Sequence, residues 1–508
     1  MGRLLAFLSA ATALFVLVVA SGGEGRAAQR KPPRPNVVVI MTDDQTVRDL
    51  EVMPQTRRLL AGRGVAFRNS YASYPLCCPS RATYQTGRYA HNHRVLGNRP
   101  PRGGYGRLDK RNTLAVWLRR AGYATTHIGK FLNGYGRDVP ADVPPGWTEW
   151  RGSVDPSTYR MWGYRLNENG TVRQYGRRNV QNPALYQTDV YRAKALDFIR
   201  RRSGPKRPFF LSVAFLAPHS EAGRGLAGRG CIVRPAPRHR GLFATKRLPR
   251  PPNFNERDLS DKPRYLRGLP LLTPARIDNI TRSFRCRQRS LVAVDEAVQA
   301  IVATLRATGE LGHTYILFTS DNGFFHGQHR VPTGKLLLYE PSSRVPLLLR
   351  GPGLPRGRVS RELVANIDIA ATIVDVTGAR PTRSLDGRSL VPFARRPTGR
   401  SRRFLLLETG ALSPNGDLDQ DTGTVRQGIS IPSYQAVRTR RFLYAEYSDG
   451  SRELYDFAHD PFQRRSRHAD PRYRLTRRAL NHALERLRRC RGRACRKAGG
   501  RVPRPSRR

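Results

Sequence analysis

The sequence predicts an α/β fold built on a buried, largely parallel sheet. Three observations carry this. First, the stretches from Asn36 to Met41, Pro208 to Phe215 and Thr314 to Thr319 are continuous apolar runs of strand length, the pattern of strands covered on both faces. Second, each run delivers a polar cluster: Thr42-Asp43-Asp44-Gln45, Pro218-His219-Ser220 and Ser320-Asp321-Asn322-Gly323. Third, amphipathic stretches at 112–121, 188–201 and 287–311 read as helices between them. The 508 residues suffice for one large domain and a smaller one.

In chain order, residues 1–28 read as a secretory signal, with Arg3 ahead of an apolar run and small residues at 20–23. The apolar run, Leu4–Ala20, is about 17 residues, at the short limit for a membrane span. An uncleaved anchor is the other reading. No Cys follows the run, which argues against a lipoprotein, and no second run is long enough to cross a bilayer. The mature protein is therefore expected to be secreted, without a membrane span. Residues 29–35 are a basic, Pro-rich linker.

The catalytic domain is expected over 36–395. Asp43 and Asp44 end the first buried strand, where open α/β sheets place ligands. Adjacent carboxylates raise each other's pKa, and a shared cation relieves this. The alternative is a solvated loop with an Asp capping the next helix. Residues 53–64 look helical, and 65–71 look like a strand leading to Pro75–Arg88. Pro79 suits the first turn of a helix, so Cys77 is expected just before that helix's N-terminus. Unpaired N–H groups and the helix dipole favour an anion there, and Arg81 can aim its guanidinium at the same anion. The plainer alternative makes Cys77 a buried structural thiol.

Beyond the helix at 112–121, residues 122–130 read as turn, strand and a terminal Lys130. Residues 138–178, rich in Gly, Pro, Tyr and Trp, are expected to form surface structure near a substrate mouth. Residues 223–270 are expected to be a long irregular excursion. A strand at 345–349 and a helix at 366–377 follow, then a charged linker at 395–403. Short strands at 404–408, 434–438, 441–447 and 453–456, with a helix at 474–489, make a smaller α+β domain over 404–490. Residues 491–508 are a basic tail, expected to be disordered from Gly499. No internal repeat is evident.

The formal net charge is +53, from 91 Lys+Arg against 38 Asp+Glu. Such a balance raises nucleic acid as a partner. The Arg residues are scattered rather than gathered in a stripe, and no nucleic-acid-binding motif is present, so none is expected to bind. A polyanionic substrate fits the same charge. Of six Cys, Cys490 and Cys495 lie close together and could bridge, and Cys231 with Cys286 could form a second pair. Cys77 and Cys78 remain, and adjacent Cys residues rarely bridge each other.

Cys77-Cys78-Pro79-Ser80-Arg81, followed by Thr86-Gly87, fits Cys-x-Pro-Ser-Arg and resembles the signature of the type I sulfatases. The resemblance implies that a formylglycine-generating enzyme oxidises Cys77 to formylglycine (3-oxoalanine), whose hydrated aldehyde is the nucleophile. A sulfated serine would need a second attack at sulfur. A sulfated geminal diol instead expels sulfate by reforming the aldehyde. The family further implies Asp43, Asp44, Asp321 and Asn322 as ligands of Ca²⁺ (Mg²⁺ is possible), with residue 77 as a fifth ligand. It implies Arg81, Lys130 and Lys335 on the sulfate, and His219 as proton donor to the leaving oxygen or as a sulfate ligand.

Many family members continue Gly-Lys-Trp-His, whereas this chain reads Gly129-Lys130-Phe131-Leu132-Asn133. That run is similar to the N-acetylglucosamine-6-sulfatase branch and implies Asn133 as a substrate contact. The base for sulfate release stays open among His91, His93, His127, His326 and His329. Leu385–Leu390, Glu453–Phe457 and Asp460-Pro461 also resemble family turns. The implied fold is the alkaline-phosphatase-like one, a large mixed sheet sandwiched by helices with a small C-terminal antiparallel sheet. The implied activity is hydrolysis of sulfate esters of sugars or glycosaminoglycans, at the 6-O-sulfate of N-acetylglucosamine-like units. The alternatives are a phosphonate monoester or phosphodiester hydrolase on the same scaffold, and a non-catalytic polysaccharide binder.

Overall fold

The structure is a computed structural model that describes residues 34–204, 208–222, 224, 231–396, 404–410 and 431–506. The expected signal at 1–28 and most of both expected linkers lie outside the described residues.

Ten strands form one mixed sheet: β1 Asn36–Thr42, β2 Val65–Tyr71, β3 Ala124–Gly129, β4 Glu149–Ser153, β5 Tyr164–Glu168, β6 Thr171–Tyr175, β7 Phe209–Ala214, β8 Thr314–Ser320, β9 Leu347–Arg350 and β10 Arg358–Ala365. Their order is β10-β2-β9-β8-β1-β7-β3-β4-β5-β6. β1 shows why the apolar runs are continuous. Val38 and Ile40 face a core with Phe198, Ile199, Leu291 and Val298. Val37, Val39 and Met41 face the opposite core with Ala82, Leu114, Leu118 and Ile373. Helices α1 (Cys77–Thr86), α2 (Gln187–Arg202), α3 (Pro274–Ala307) and α4 (Ile367–Thr377) supply these two layers. With both faces covered, alternation has no reason to exist.

A second sheet is antiparallel, in the order β11 (Leu405–Glu408), β12 (Tyr434–Arg438), β13 (Phe442–Tyr447) and β14 (Arg452–Asp456). Helix α5 (Arg474–Arg488) packs on it through Leu480, Leu484 and Leu487, in a core that also takes Tyr71 from the end of β2 and Tyr74 and Leu336 from the larger sheet's loops. Cys231–Cys286 and Cys490–Cys495 are disulfide-bonded. No helix among the described residues is long and apolar enough to cross a membrane.

Three expectations need correcting. Residues 138–178 are not only surface structure: they contribute β4, β5 and β6, and bury Trp150, Trp162 and Tyr164. Helix α3 begins at Pro274 rather than Arg287, with Thr273 as its N-cap accepting from Arg276 N at 3.3 Å. Residues 499–506 are ordered along α5: Thr476 Oγ1 donates to Pro503 O at 2.9 Å, and Ser506 N donates to Arg472 O at 3.2 Å.

Candidate active site

β8, β1, β7 and β3 are four neighbouring parallel strands. Their register pairs Thr42 with Ser320, Met41 with Ala214, and Gly129 with Ala214. The strands thus finish at one edge, and the polar residues after each gather there. These are Asp43 and Asp44 from β1, Asp321 and Asn322 from β8, His219 from the β7 loop and Lys130 from β3. Asp44 has φ 68°, a left-handed conformation that Asp tolerates better than most residues. Buried Arg287 of α3 braces this turn, donating to Asp44 O at 2.5 Å and Pro218 O at 2.9 Å.

α1 starts at Cys77 itself, with extended Leu76 as its N-cap and Pro79 inside its first turn. Cys77 Sγ lies 3.4 Å from Asp43 Oδ1 and 2.9 Å from Lys335 Nζ, which also reaches Asp44 Oδ1 at 2.7 Å. Lys130 Nζ is ion-paired with Asp43. Arg81 does not reach outward. Its Nε donates to Asp321 Oδ2 at 2.8 Å, its Nη1 to Lys130 O at 2.8 Å, and its Nη2 is 3.3 Å from Asp43 Oδ2. His219 Nδ1 bonds Ser220 O at 2.7 Å, which turns Nε2 toward Asp44 Oδ2 at 3.9 Å. Lys335 arrives on the loop after β8, and all of these side chains are buried.

The oxygen donors fit a hard divalent cation. One carboxylate oxygen each from Asp43, Asp44 and Asp321 lies within 4.8 Å of the others, and Asp43, Cys77 and His219 form a second such group. Asn322 Nδ2 donates to Asp44 Oδ1 at 2.6 Å, while buried Asn322 Oδ1 has no hydrogen-bond donor among the described residues. Three carboxylates and an orphaned amide oxygen suit Ca²⁺ or Mg²⁺ rather than a thiolate-seeking metal.

Burial alone would raise the carboxyl pKa of Asp43, but Lys130, His219, Arg81 and Lys335 together hold it well below the usual range. Asp321 moves up, through burial and then the neighbouring Asp43 charge. The Cys77 thiol is pushed up to about 12, by burial first and Asp43 second. As a thiol it stays protonated near neutrality and is a weak nucleophile.

The five histidines considered for the release step sit elsewhere. His91 bonds Glu408 at 3.0 Å, His93 bonds Thr83 Oγ1 at 3.0 Å, and His329 bonds Glu256 at 2.6 Å. His127 stacks on Trp150 at 4.9 Å. His326 lies against Phe284 and Phe324 in a cavity of about 260 Å³ whose lining does not include residue 77. Sequence reasoning missed Tyr159, whose ring sits 5.0 Å from that of His219 and 4.7 Å from Lys130 Nζ. Its hydroxyl accepts from Asn133 Nδ2 at 2.7 Å, which brings Asn133 to the site's rim. Arg287 was missed too. Its signal was a lone Arg on an otherwise apolar helix face.

Residues 35–379 match the family model described as Sulfatase. The chain belongs to the sulfatase family. As a sulfuric ester hydrolase it is 33% identical over 525 aligned positions to the N-acetylglucosamine-6-sulfatase of Homo sapiens, covering 97% of this chain and 91% of that protein. It is 34% identical to the extracellular sulfatase SULF-1 homolog of Drosophila melanogaster, over 71% of this chain and 31% of that one. Among solved structures, the sulfatase superposes with TM-score 0.71 and 23% identity on an enzyme in complex with its substrate D-glucosamine-2-N,6-O-disulfate, covering 89% of this chain and 97% of that one. It superposes with TM-score 0.67 and 23% identity on the phosphonate monoester hydrolase of Silicibacter pomeroyi, covering 89% and 96%. The fold is the alkaline-phosphatase-like sandwich with its small antiparallel sheet.

Proposed function

We propose that this sulfatase is a secreted, cation-dependent enzyme that removes 6-O-sulfate from N-acetylglucosamine-like units of sulfated sugars or glycosaminoglycans. Its nucleophile would be formylglycine made from Cys77 by a formylglycine-generating enzyme. The observation that carries this is the position of residue 77. It opens α1 with its side chain 2.9 Å from Lys335 Nζ and beside the oxygen donors of Asp43, Asp44 and Asp321. The human relative supports the sugar and the position of the ester. The two disulfides and the N-terminal signal reading support export.

Formylglycine supplies a hydrated aldehyde, one hydroxyl to attack sulfur and the other to expel sulfate. Asp43, Asp44, Asp321 and Asn322 would hold a divalent cation, which would supply positive charge to the sulfate oxygens. The chain's own residues do the rest. Arg81, tied to both Asp43 and Asp321, fixes the angle between the two acids rather than meeting substrate. Lys335, against residue 77, and Lys130, paired with the neighbouring Asp43, are the cations for sulfate oxygens. His219 is held through Nδ1, which leaves Nε2, on the Asp44 side, as the atom that would pass a proton to the departing alcohol, with Lys335 as the second donor.

Mass spectrometry of the peptide containing residue 77, paired with sulfate release from N-acetylglucosamine 6-sulfate, tests the proposal. The expected result is formylglycine at position 77 in the active enzyme. Activity from a chain carrying only the thiol would sink the reading. The similarity to a phosphonate monoester hydrolase favours one second activity, cleavage of phosphonate monoesters. Relative kcat/KM on sulfate and phosphonate esters of one alcohol decides which dominates.

A further inference from the structure

A cavity of about 80 Å³ opens at the rim of the site, walled by Asn98, Arg99, Asn133, Arg137, Asp155 and Tyr159. Its inner wall belongs to the site. Asn98 Oδ1 accepts from Cys78 N at 2.9 Å, and Tyr159 stands against His219 and Lys130. The cavity therefore shares Tyr159 with the surroundings of His219 and Lys130. Its volume is far below the roughly 300 Å³ of a pocket that swallows a ring, and equals about two or three waters. It has room for a substituent.

The outer wall is cationic. Arg99 and Arg137 are exposed, and neither guanidinium is ion-paired among the described residues. The wall's one acid, Asp155, is buried and accepts from Gly134 N at 2.6 Å. Exposed arginines are common in a chain of charge +53. Two outside any ion pair among the described residues, on one small cavity that shares Asn133 and Tyr159 with the site's rim, are a specific arrangement. We propose that Arg99 and Arg137 form a subsite for a second sulfate on the sugar that bears the scissile ester. They would make the enzyme selective for doubly sulfated over singly sulfated sugars. Guanidinium forks match sulfate oxygens in pairs, and Asn133 and Tyr159 would flank the ring between the two sulfates. This rests on the enzyme being a sugar sulfatase.

Binding to the full-length Cys77→Ala protein tests the subsite without turnover. Calorimetry compares glucosamine 2-N,6-O-disulfate with N-acetylglucosamine 6-sulfate. The disulfate should bind at least about tenfold tighter, and Arg99→Gln with Arg137→Gln should bring the ratio near one. Arg137→Lys should keep part of the preference, because charge remains while the fork is lost. Equal affinities in the Cys77→Ala protein, or a ratio that survives both Gln substitutions, would overturn the proposal. Failure of the native enzyme to release sulfate from either sugar, with the binding ratio intact, would overturn the activity reading and leave the subsite standing.

Discussion

Two buried charge clusters in this molecule are built on opposite principles. At the edge of the large sheet, Asp43, Asp44 and Asp321 are met by Arg81, Lys130 and Lys335. In the small sheet, Glu453 of β14 is equally buried but is met by hydroxyls: Tyr339 donates to Oε1 at 2.7 Å, and Tyr447 and Tyr455 complete the cage. Burial pushes both Asp43 and Glu453 toward the neutral form. For Asp43 the cations overcome it and the carboxyl stays ionised, whereas for Glu453 burial wins and its pKa rises. Burial sets the cost, and the neighbours decide whether the charge survives it. Surviving charge is what an anionic substrate and a cation can use. The hydroxyl cage fastens the small sheet to the loop that carries Lys335.

This contrast can be broken by experiment. Cys77→Ala should abolish sulfate release by about 10⁴-fold or more, measured against the native enzyme. Asp321→Ala should cost on the order of 10³-fold and leave an enzyme that added Ca²⁺ cannot restore. Chelation of the native enzyme should give a loss that Ca²⁺ reverses. Full activity in chelator would remove the cation from the account. Lys335→Ala should lower kcat by about 10²–10³-fold, since it touches both residue 77 and Asp44.

On the other side of the comparison, Glu453→Leu should cost about 2–4 kcal/mol of stability by orphaning three hydroxyls. The kcat of the folded enzyme should hold; a kcat loss as large as that of Asp321→Ala would erase the distinction drawn here. Glu453→Gln sharpens it. A raised native pKa means that the folded state keeps its proton where the unfolded chain loses it. Stability from this group therefore falls as pH rises above the unfolded carboxyl value of about 4.3. The Gln variant should lack that fall, so the difference in Tm between the two proteins should change with pH. Cys78→Ser should be the mildest change, with sulfate release within about twofold: serine keeps the backbone N–H to Asn98, and its hydroxyl can meet the Gly104 and Asn133 backbone groups that the buried sulfur meets.

Much of the catalytic edge was legible because strand and cluster are adjacent in sequence. An apolar run on β1, β7 or β8 followed at once by Asp, His or Asn states both the strand and where it ends. What was not legible depended on partners far apart in the chain. β4 to β6 hid in a stretch whose Gly and Trp content reads as loop, although those Trp side chains fill the core. The first three turns of α3 were missed because Arg282 and Arg285 interrupt the apolar pattern; there the buried residues Ile280 and Phe284 face a separate small cluster. Thr273-Pro274 was the start signal available. Arg81 was expected on the substrate anion; its bonds to two acids, Asp321 and Asp43, were not foreseen. Spacing along one helix cannot reveal a carboxylate contributed from residue 321.

Cys286 and Arg287 are consecutive residues on α3, one bonded to Cys231 and the other gripping the carbonyls of Asp44 and Pro218. A roll of that helix able to loosen the aspartate turn would have to drag the Cys231 segment along with it. The reaction centre thus borrows rigidity from a crosslink it never touches. A chain folded under reducing conditions should assemble every ligand and still hold them less firmly.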